Sequence, residues 1–370
     1  MDYYWLYTLL AFVLSAISGF IVMPYIVRFC LKRKLYDLPN ERKVHHHAIP
    51  RLGGIAFIPC MFFAFLVSLY IFACMNDNAP VGISMWTCSF VVSLFMIYLV
   101  GLIDDVIGLG AKLKFVVQIV AASLLPACGL YINNFYEFMG ISEVPFWIGA
   151  PLTVFVIVFI DNAINLIDGI DGLSGGLSLI SLIGFLICFG REGIWTYCVL
   201  IAGLMGVLIA YLYFNIFGSP ERHTKLFMGD SGSLTLGFIL GFLMVKFAMD
   251  NNSVMPYRRD SLLLSYTLLI VPCFDVVRVV MARLRSHQPL FKADKRHLHH
   301  KLLRCGLTQH QTLCVILLMQ VAFVVTNILA YNYMDFTWIV LINISTFTVL
   351  NLIMDVVIRR KESSMQEQKA

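Results

Sequence analysis

The sequence predicts an all-α fold, a polytopic membrane bundle of about 11 transmembrane helices, with about 10 as the lower bound. Of its 370 residues, 59% are hydrophobic and only 13% are charged, and the mean hydropathy is +0.82. Soluble domains have about 45–50% apolar and about 25% charged residues. The apolar residues also gather into runs of about 20, the length that crosses a bilayer as a helix. This composition excludes a soluble domain of useful size.

Short polar loops separate the apolar runs. We expect a transmembrane helix at the first run rather than a signal peptide, because no basic segment precedes it and no small-residue cleavage site follows. Periodicity does not sharpen the ends, since such helices are apolar nearly all round. The runs fall at roughly 5–29, 53–74, 84–103, 113–131, 146–163, 177–190, 194–214, 234–249, 261–281, 311–331 and 337–358.

Basic residues divide the loops into two sets. One set carries only Arg191, Arg258 and Arg259, whereas the other holds most of the 27 Lys and Arg. Lys and Arg concentrate in cytoplasmic loops, so we expect the N-terminus outside and the C-terminus in the cytoplasm. We expect one membrane domain over 1–358 and a cytoplasmic polar tail over 359–370. The basic set comprises 31–52, 104–114, 215–230, 282–309 and the tail from 359.

Five loops with chemically active side chains should open on the same, cytoplasmic, face. Two spans separate each of these loops from the next, and all 9 histidines lie on this side. None of the 10 cysteines forms a C-x-x-C pair, so we expect neither disulfides nor cysteine metal sites. The five loops are 37–54, 104–112, 162–176, 215–233 and 287–300.

The first loop is basic and rigid. It contains Lys43 and His45 between two prolines, Arg51 directly after the second proline, and a Gly-Gly pair that opens the next helix. Such a loop suits phosphate recognition, although basic side chains beside a span also serve as topology signals. His45 is followed by His46 and His47, but no Cys or carboxylate stands at zinc-ligand spacing. The exact roles of His46 and His47 stay open.

The second loop begins with two adjacent carboxylates, Asp104 and Asp105, with Lys112 and Lys114 close behind. Neighbouring carboxylates at a membrane edge repel each other unless a cation or proton intervenes. A solvated helix end is the simpler alternative. The two lysines favour metal or phosphate chemistry.

The third loop is rich in amides and carboxylates. Asn162, Asn165 and Asp168 have the spacing of one helix face, and Asp171 follows beyond Gly169. The loop lacks the pattern of an EF-hand and the G-K-[ST] of a Walker phosphate loop.

The fourth and fifth loops add a metal ligand and positive charge. Asp230, flanked by glycines at the mouth of a helix, is the best metal candidate, and that helix start could hold phosphate oxygens. The fifth loop carries His297, His299 and His300 in a dense basic segment. An anchoring patch for anionic lipid is the alternative there. Imidazoles can instead donate to phosphate or relay protons.

Together these loops resemble the polyprenyl-phosphate N-acetylhexosamine-1-phosphate transferase family, in the right order over nearly the whole chain. The loop Asp37-x-Pro39-x-x-Arg42-Lys43-x-His45, followed by Pro50-Arg51-x-Gly53-Gly54, is similar to the bacterial undecaprenyl-phosphate GlcNAc-1-phosphate transferases. So is Asp294-x-x-His297-x-His299-His300, where the peptidoglycan branch typically has three successive histidines.

The resemblance implies a role for each candidate residue. Asp230 and Asp168 would bind the metal, and Phe227 would stack on uracil with Asp171 nearby. The implied catalytic set is Asp104, Asp105, Asp168, His297, His299 and His300. The implied substrate-binding set is Lys43, His45, Arg51, Lys112, Asn162, Asn165, Asp171 and Phe227.

The implied reaction converts UDP-N-acetylhexosamine, most simply UDP-GlcNAc, and undecaprenyl phosphate to undecaprenyl-diphospho-sugar and UMP. The cofactor would be Mg²⁺, with Mn²⁺ as a substitute. The enzyme would lie in the bacterial inner membrane and begin a cell-surface glycan pathway, such as that of lipopolysaccharide O-antigen. Its partners would be the two substrates and the bilayer, with no nucleic acid; a homodimer is left open.

Two other classes remain as alternatives. A secondary transporter would place carboxylates on broken helices at the midplane, whereas these acids lie at helix ends on one side. An intramembrane aspartyl protease needs two aspartates deep in facing spans. The segment Met228-Gly229-Asp230 only partly matches its Gly-x-Gly-Asp element.

Overall fold

The computed structural model describes residues 4–37, 48–76, 84–288 and 296–367. These residues form helices α1 to α13. In chain order they are α1 Tyr4–Arg33, α2 Phe57–Met75, α3 Met85–Ile107, α4 Ala111–Ala127, α5 Phe146–Ile167, α6 Leu173–Arg191, α7 Trp195–Phe217, α8 Asp230–Ala248, α9 Ser261–Thr267, α10 Ile270–Arg285, α11 Leu298–Arg304, α12 Gln309–Ala330 and α13 Phe336–Glu367.

Two small hairpins and one 3₁₀ turn complete the described structure. Strand β1 (Tyr36–Asp37) pairs antiparallel with β2 (Ile49–Pro50), and the turn Gly53–Ala56 leads from there into α2. Strand β3 (Asn134–Phe138) pairs antiparallel with β4 (Ile141–Glu143) between α4 and α5.

The predicted polytopic helical bundle is confirmed. In the described part of the chain, nine helices are long and apolar enough to cross a membrane, and ten spans result if α9 and α10 form one span bent by 69°. Helix α4 has 17 residues, which is about the shortest length that crosses a bilayer. The lower bound of the prediction, ten spans, is therefore reached without counting α4.

Helix α8 is the centre of the bundle. Every residue from Ser231 to Ala248 is buried, because α3, α5 and α6 pack around it. The outer helices instead expose apolar side chains, such as Ile17 of α1 and Leu318 of α12, as expected of surfaces that face lipid. The N-terminus of α8, which begins at Asp230, therefore lies at the middle of one end of the bundle.

Glycines, which have no β-carbon, allow neighbouring backbone segments to approach this end of α8 closely. A β-carbon at Gly54 would overlap the backbone of Gly232, and one at Gly101 of α3 would overlap that of Ser231. Glycine is required at such approaches because any side chain would separate the segments. The first loop and the end of α3 are thereby held against the start of α8.

The last helix extends past the predicted domain boundary at 358. It continues to Glu367 and packs against α11, so the described part of the expected tail is helical. Lys301 lies 2.8 Å from a carboxylate oxygen of Asp355, and Arg304 lies 2.6 Å from one of Glu362. These ion pairs tie α11 to α13.

Candidate active site

A cavity of about 370 Å³ opens beside the N-terminus of α8. Residues from all five predicted loops contribute to its wall, including residues from the described parts of the first and fifth loops. Its walls are formed by Arg51, Asp104, Asp105, Asn165, Asp168, Gly169, Ile170, Asp171, Tyr211, Asn215, Phe227, Met228, Gly229, Asp230, Ser233, His300 and Gln309.

Asp105 binds the first turn of α8. Its two carboxylate oxygens accept hydrogen bonds of 2.8 Å from the backbone N–H groups of Asp230 and Ser231, and only 4% of the residue is exposed. A carboxylate at a helix N-terminus satisfies backbone donors that lack partners within the helix and interacts favourably with the helix dipole. The second of the paired aspartates thus fixes α3 to α8.

Asp104 and Asp230 share one cation. The ammonium of Lys114 lies 2.6 Å from Oδ2 of Asp230 and 3.1 Å from Oδ2 of Asp104. The other oxygen of Asp104 accepts a hydrogen bond of 2.5 Å from the backbone N–H of Leu109. Lys114 therefore offsets the repulsion between carboxylates from different helices.

The structure places Lys114, and not Lys112, at the site. Lys112 is exposed, whereas Lys114 contacts Asp104 and Asp230, which line the cavity. Residues two apart on a helix point in different directions, so α4 can direct only one of these lysines toward Asp230. The predicted binding role of Lys112 has no support from its position. In the sequence, the two lysines that closely follow Asp104 and Asp105 were the signal that indicated Lys114.

Asn165 and Asn162 do not share a site. Asn165 Nδ2 donates to Asp230 Oδ1 at 3.2 Å and to Ser233 Oγ at 2.8 Å. Asn162 Nδ2 donates instead to Gln118 Oε1 at 3.0 Å and does not line the cavity. Because a helix turns by about 100° per residue, a spacing of three still separates these amides by about 60°. In this structure Asn162 links α5 to α4.

Asp168 ends α5 with its side chain open to the cavity. Desolvation by the surrounding protein and the nearby negative charges, first that of Asp230 and then that of Asp171, together raise the pKa of this carboxyl to about 7. A bound cation would counteract both effects by favouring the ionised form.

Two residues missed by the sequence analysis hold the loop after Asp168. Lys225, which is 8% exposed, donates to Asp171 Oδ2 at 2.7 Å. The side chain of Asn215 accepts from the N–H of Gly172 at 2.6 Å and donates to the carbonyl of Leu226 at 3.0 Å. These contacts fasten the 168–172 loop to the loop before α8. In the sequence, the only signals for these two residues were a lysine and an amide side chain in or beside a short loop.

Arg51 and Phe227 reach the cavity from two loops that are joined by their backbones. The N–H of Phe227 donates to the carbonyl of Pro50 at 2.7 Å, and the N–H of Gly53 donates to the carbonyl of Phe227 at 2.9 Å. Of the predicted first-loop residues, only Arg51 is within the described ranges. Lys43 and His45, together with His46 and His47, lie outside the described residues.

The histidines of α11 are placed differently from one another. His300 lines the cavity, and its ring centroid is 4.2 Å from that of His299. His299 is 2% exposed and lies against Gly169, where a β-carbon would overlap its Nε2. Burial and the nearby His300 lower the pKa of His299 to about 3. His297 does not line the cavity.

A third missed residue, Asp275 of α10, contacts His297. Its Oδ2 lies 2.9 Å from Nδ1 of His297, and neither residue is more than 6% exposed. Asp275 lies within the apolar run 261–281, which predicts a membrane span. A single acid within an apolar run was the signal that could have indicated it.

The donor set fits magnesium bound together with a phosphate ligand. Among the described residues, no three His, Cys, Asp or Glu side chains converge as a ready-made metal cage. Magnesium, however, is usually held by one or two carboxylates together with substrate phosphates and water. Asp230 and Asp168 both line the cavity and would supply hard oxygen ligands to such a site.

The sequence is similar to those of known membrane transferases. The model of glycosyl transferase family 4 matches residues 87–248. A probable undecaprenyl-phosphate N-acetylglucosaminyl 1-phosphate transferase of Bacillus subtilis (strain 168) is 31% identical over 332 residues, covering 86% of this chain and 83% of its own. The undecaprenyl-phosphate α-N-acetylglucosaminyl 1-phosphate transferase of Escherichia coli (strain K12) is 29% identical over 317 residues, covering 83% and 80%.

The family model spans α3 to α8 and so includes the loops that carry Asp104, Asp168 and Asp230. A similar relative from Yersinia pestis, with the same name as the Escherichia coli protein, is 28% identical over 79% of this chain and 75% of its own. The chain belongs to glycosyl transferase family 4, among the polyprenyl-phosphate N-acetylhexosamine-1-phosphate transferases.

Proposed function

We propose that the protein transfers GlcNAc-1-phosphate from UDP-GlcNAc to undecaprenyl phosphate, giving undecaprenyl-diphospho-GlcNAc and UMP. The observation that carries this proposal is the ion pairing of Lys114 with both Asp104 and Asp230, two carboxylates that line the cavity at the start of the central helix. Two anionic reactants must meet there. Lys114 offsets the negative charge of Asp104 and Asp230, which would otherwise repel the reactants, and Arg51 adds positive charge to the cavity wall. The relatives named above support the choice of both substrates.

The nucleotide would bind between the loops after α5 and before α8. Phe227 supplies an aromatic face for uracil, and Asp171, held by Lys225, supplies a carboxylate acceptor beside it. Arg51 lies in the same cavity and has the planar donor geometry that suits phosphate.

The lipid phosphate would bind near the end of α3. Asp104 is the group placed to take its last proton, because its carboxylate is partly exposed and lines the cavity. Asp105 acts differently: it is only 4% exposed and binds the first backbone N–H groups of α8, so it holds the start of that helix in place.

Asp230 and Asp168 would hold Mg²⁺ or, as a substitute, Mn²⁺. When bound, the metal would neutralise charge that develops on the diphosphate. The chain's own contribution is to keep its ligands in place. Asn165 donates to Asp230 from one side and Lys114 from the other, so this carboxylate is already oriented before substrate binds.

The transfer would proceed in one displacement. An oxygen of the lipid phosphate attacks the phosphorus that carries the sugar, a new O–P bond forms, and the bond between the two phosphates of UDP-GlcNAc breaks. UMP leaves with the bonding electron pair, and the proton of the lipid phosphate passes to Asp104. Because the acceptor is already an oxyanion, it needs alignment and desolvation more than activation.

The site would open on the cytoplasmic face of the bacterial inner membrane, where UDP-sugars are available. The distribution of Lys and Arg among the loops supports this orientation. The product would then enter a cell-surface glycan pathway. The transporter alternative is not favoured, because the cavity acids lie at the ends of α3, α5 and α8.

A direct assay tests the proposal. Purified protein is incubated with UDP-GlcNAc labelled in the sugar, undecaprenyl phosphate and Mg²⁺, and label is extracted into butanol. Lipid-dependent extractable label with release of UMP is expected. UDP-GalNAc in the same assay tests the preference for the sugar isomer. Failure to form a labelled lipid with either sugar would contradict the proposed reaction.

A further inference from the structure

Asp275 is a fully buried carboxylate beside the histidine-rich helix α11. We propose that Asp275 is a positioning residue, which fixes the ring of His297 and the start of α11 and so places the histidines for phosphoryl transfer. This inference rests on the proposed transferase function.

Three donors converge on this carboxylate. Arg278 Nη2 donates to Oδ1 at 2.7 Å, the N–H of Leu298 donates to Oδ1 at 3.0 Å, and His297 Nδ1 lies 2.9 Å from Oδ2. A buried charge is strongly unfavourable unless it is paired and hydrogen-bonded. Arg278 provides the opposite charge, and it also donates to the carbonyl of Arg296 at 2.5 Å. Asp275 is therefore held as an ionised carboxylate.

An ionised carboxylate fixes the orientation of the His297 ring. It can only accept hydrogen bonds, so Nδ1 of His297 must carry the proton in this contact. The other ring nitrogen, Nε2, is then the one that can accept or release a proton. Carboxylate–histidine pairs of this kind set the tautomer and basicity of functional imidazoles.

The same carboxylate determines where α11 begins. This helix has 7 residues, too few to be stable by itself, so its position depends on tertiary contacts. Asp275 holds its first N–H, and the helix then directs His299 against Gly169 and His300 into the cavity. Asp275 thus orients the ring of His297, which lies outside the cavity. Through α11 it also positions the ring of His300, which lines the cavity.

The test uses a substitution that preserves shape. In Asp275→Asn the amide oxygen can still accept from Arg278 and Leu298, while its NH₂ faces Nδ1 of His297 and donates to it. The proton of His297 is then moved to Nε2. We expect kcat to fall by about 10²-fold, with the KM for UDP-GlcNAc changed less than about threefold. A wild-type kcat would overturn the proposal.

A double-mutant cycle separates positioning from simple loss of stability. His297→Gln removes the ring that Asp275 orients, so adding Asp275→Asn to it should reduce kcat by less than about threefold further. Full additivity of the two losses would show that Asp275 does not act through His297 and would also overturn the proposal.

Asp250→Asn is the matched control. Asp250 follows the other end of α8 and accepts a hydrogen bond of 3.2 Å from Asn134, so its loss should leave kcat unchanged. If Asp275→Asn is not obtained folded, Asp275→Glu replaces it; one added methylene should displace His297 and lower kcat, and an unchanged kcat would refute positioning. A wild-type enzyme that makes no labelled lipid refutes the proposed function instead.

Discussion

Lys114 and Asp230 form a salt bridge of 2.6 Å across 116 positions of the sequence. The ammonium also binds Asp104, so one lysine of α4 connects α3 with the start of the central helix α8. Both carboxylates belong to motifs that the sequence indicates. Their common partner is what makes the two motifs one site.

Removal of this ammonium should impair catalysis strongly. We expect Lys114→Met to lower kcat/KM by about 10²–10³-fold, because two carboxylates and two anionic substrates lose their fixed cation. Lys112→Met, a change of the same kind two residues away, should have a much smaller effect. Steady-state assays with both variants measure the difference, and equal losses would contradict the placement of Lys114.

Asp230→Asn should abolish turnover while expression and detergent stability stay close to wild type. Loss of one carboxylate from a metal site raises the barrier by several kcal/mol, or about 10³-fold in rate. The measurement is initial rate as a function of Mg²⁺ concentration, with thermal unfolding as the check on folding. Near-normal turnover at saturating Mg²⁺ would remove Asp230 from the mechanism.

His299 should make the protein less stable in acid. Its pKa in the folded protein is about 3, below the ordinary 6.5, so the unfolded chain binds a proton that the folded chain does not. The free energy of unfolding should therefore fall as pH decreases from about 6.5 toward 3, and be independent of this group above about 6.5.

Thermal unfolding in detergent at a series of pH values measures this effect. We expect the slope between pH 6.5 and pH 4.5, a span of about two units, to be smaller for His299→Gln than for the wild type. His223→Gln, at an exposed loop position, is the control and should keep the wild-type slope. Identical slopes for all three proteins would contradict a depressed pKa.

Cysteine labelling should reveal the orientation in the membrane. Cysteines at Lys43, Asp168 and Arg222 should react only from the cytoplasmic side, and a cysteine at Arg259 only from outside. Arg222 and Arg259 are exposed, whereas His299 is too buried to report reliably. The background lacks reactive native thiols, and the reagent does not cross membranes. Labelling of positions 168 and 259 from one side would reject the topology.

The phosphoryl group should move in one step. An aspartate engaged by a metal ion is a poor nucleophile, so we do not expect a phospho-sugar enzyme. Delipidated enzyme should not exchange labelled UMP into UDP-GlcNAc, whereas adding undecaprenyl-diphospho-GlcNAc should permit exchange. Lipid-free exchange at a rate comparable with turnover would falsify the one-step mechanism and identify a carboxylate nucleophile.

The sequence by itself determined the helical membrane bundle and the identity of the main polar loops. Runs of apolar residues long enough to span a bilayer specify such a fold locally, and acids or glycines at their ends stand out against the apolar background. Asp230, Asp104 and Asp168 were recognisable for that reason, and the structure brings all three to one cavity.

Tertiary structure alone decided which neighbours act together. Transmembrane helices are apolar on nearly every side, so periodicity does not indicate which face meets a partner. Lys114 rather than Lys112 reaches Asp230, and Asn165 rather than Asn162 does the same. The packing of α5 on α8, and of α4 on α3 and α5, selects one direction from each helix.

The contact of Asp275 with His297 was not evident from the sequence for the same reason. Its partner His297 is 22 positions away, beyond the end of α10, and their contact depends on how the chain returns to that helix. The sequence specifies the groups and the lengths of the helices. The physical distances between groups on different helices arise only when the bundle packs.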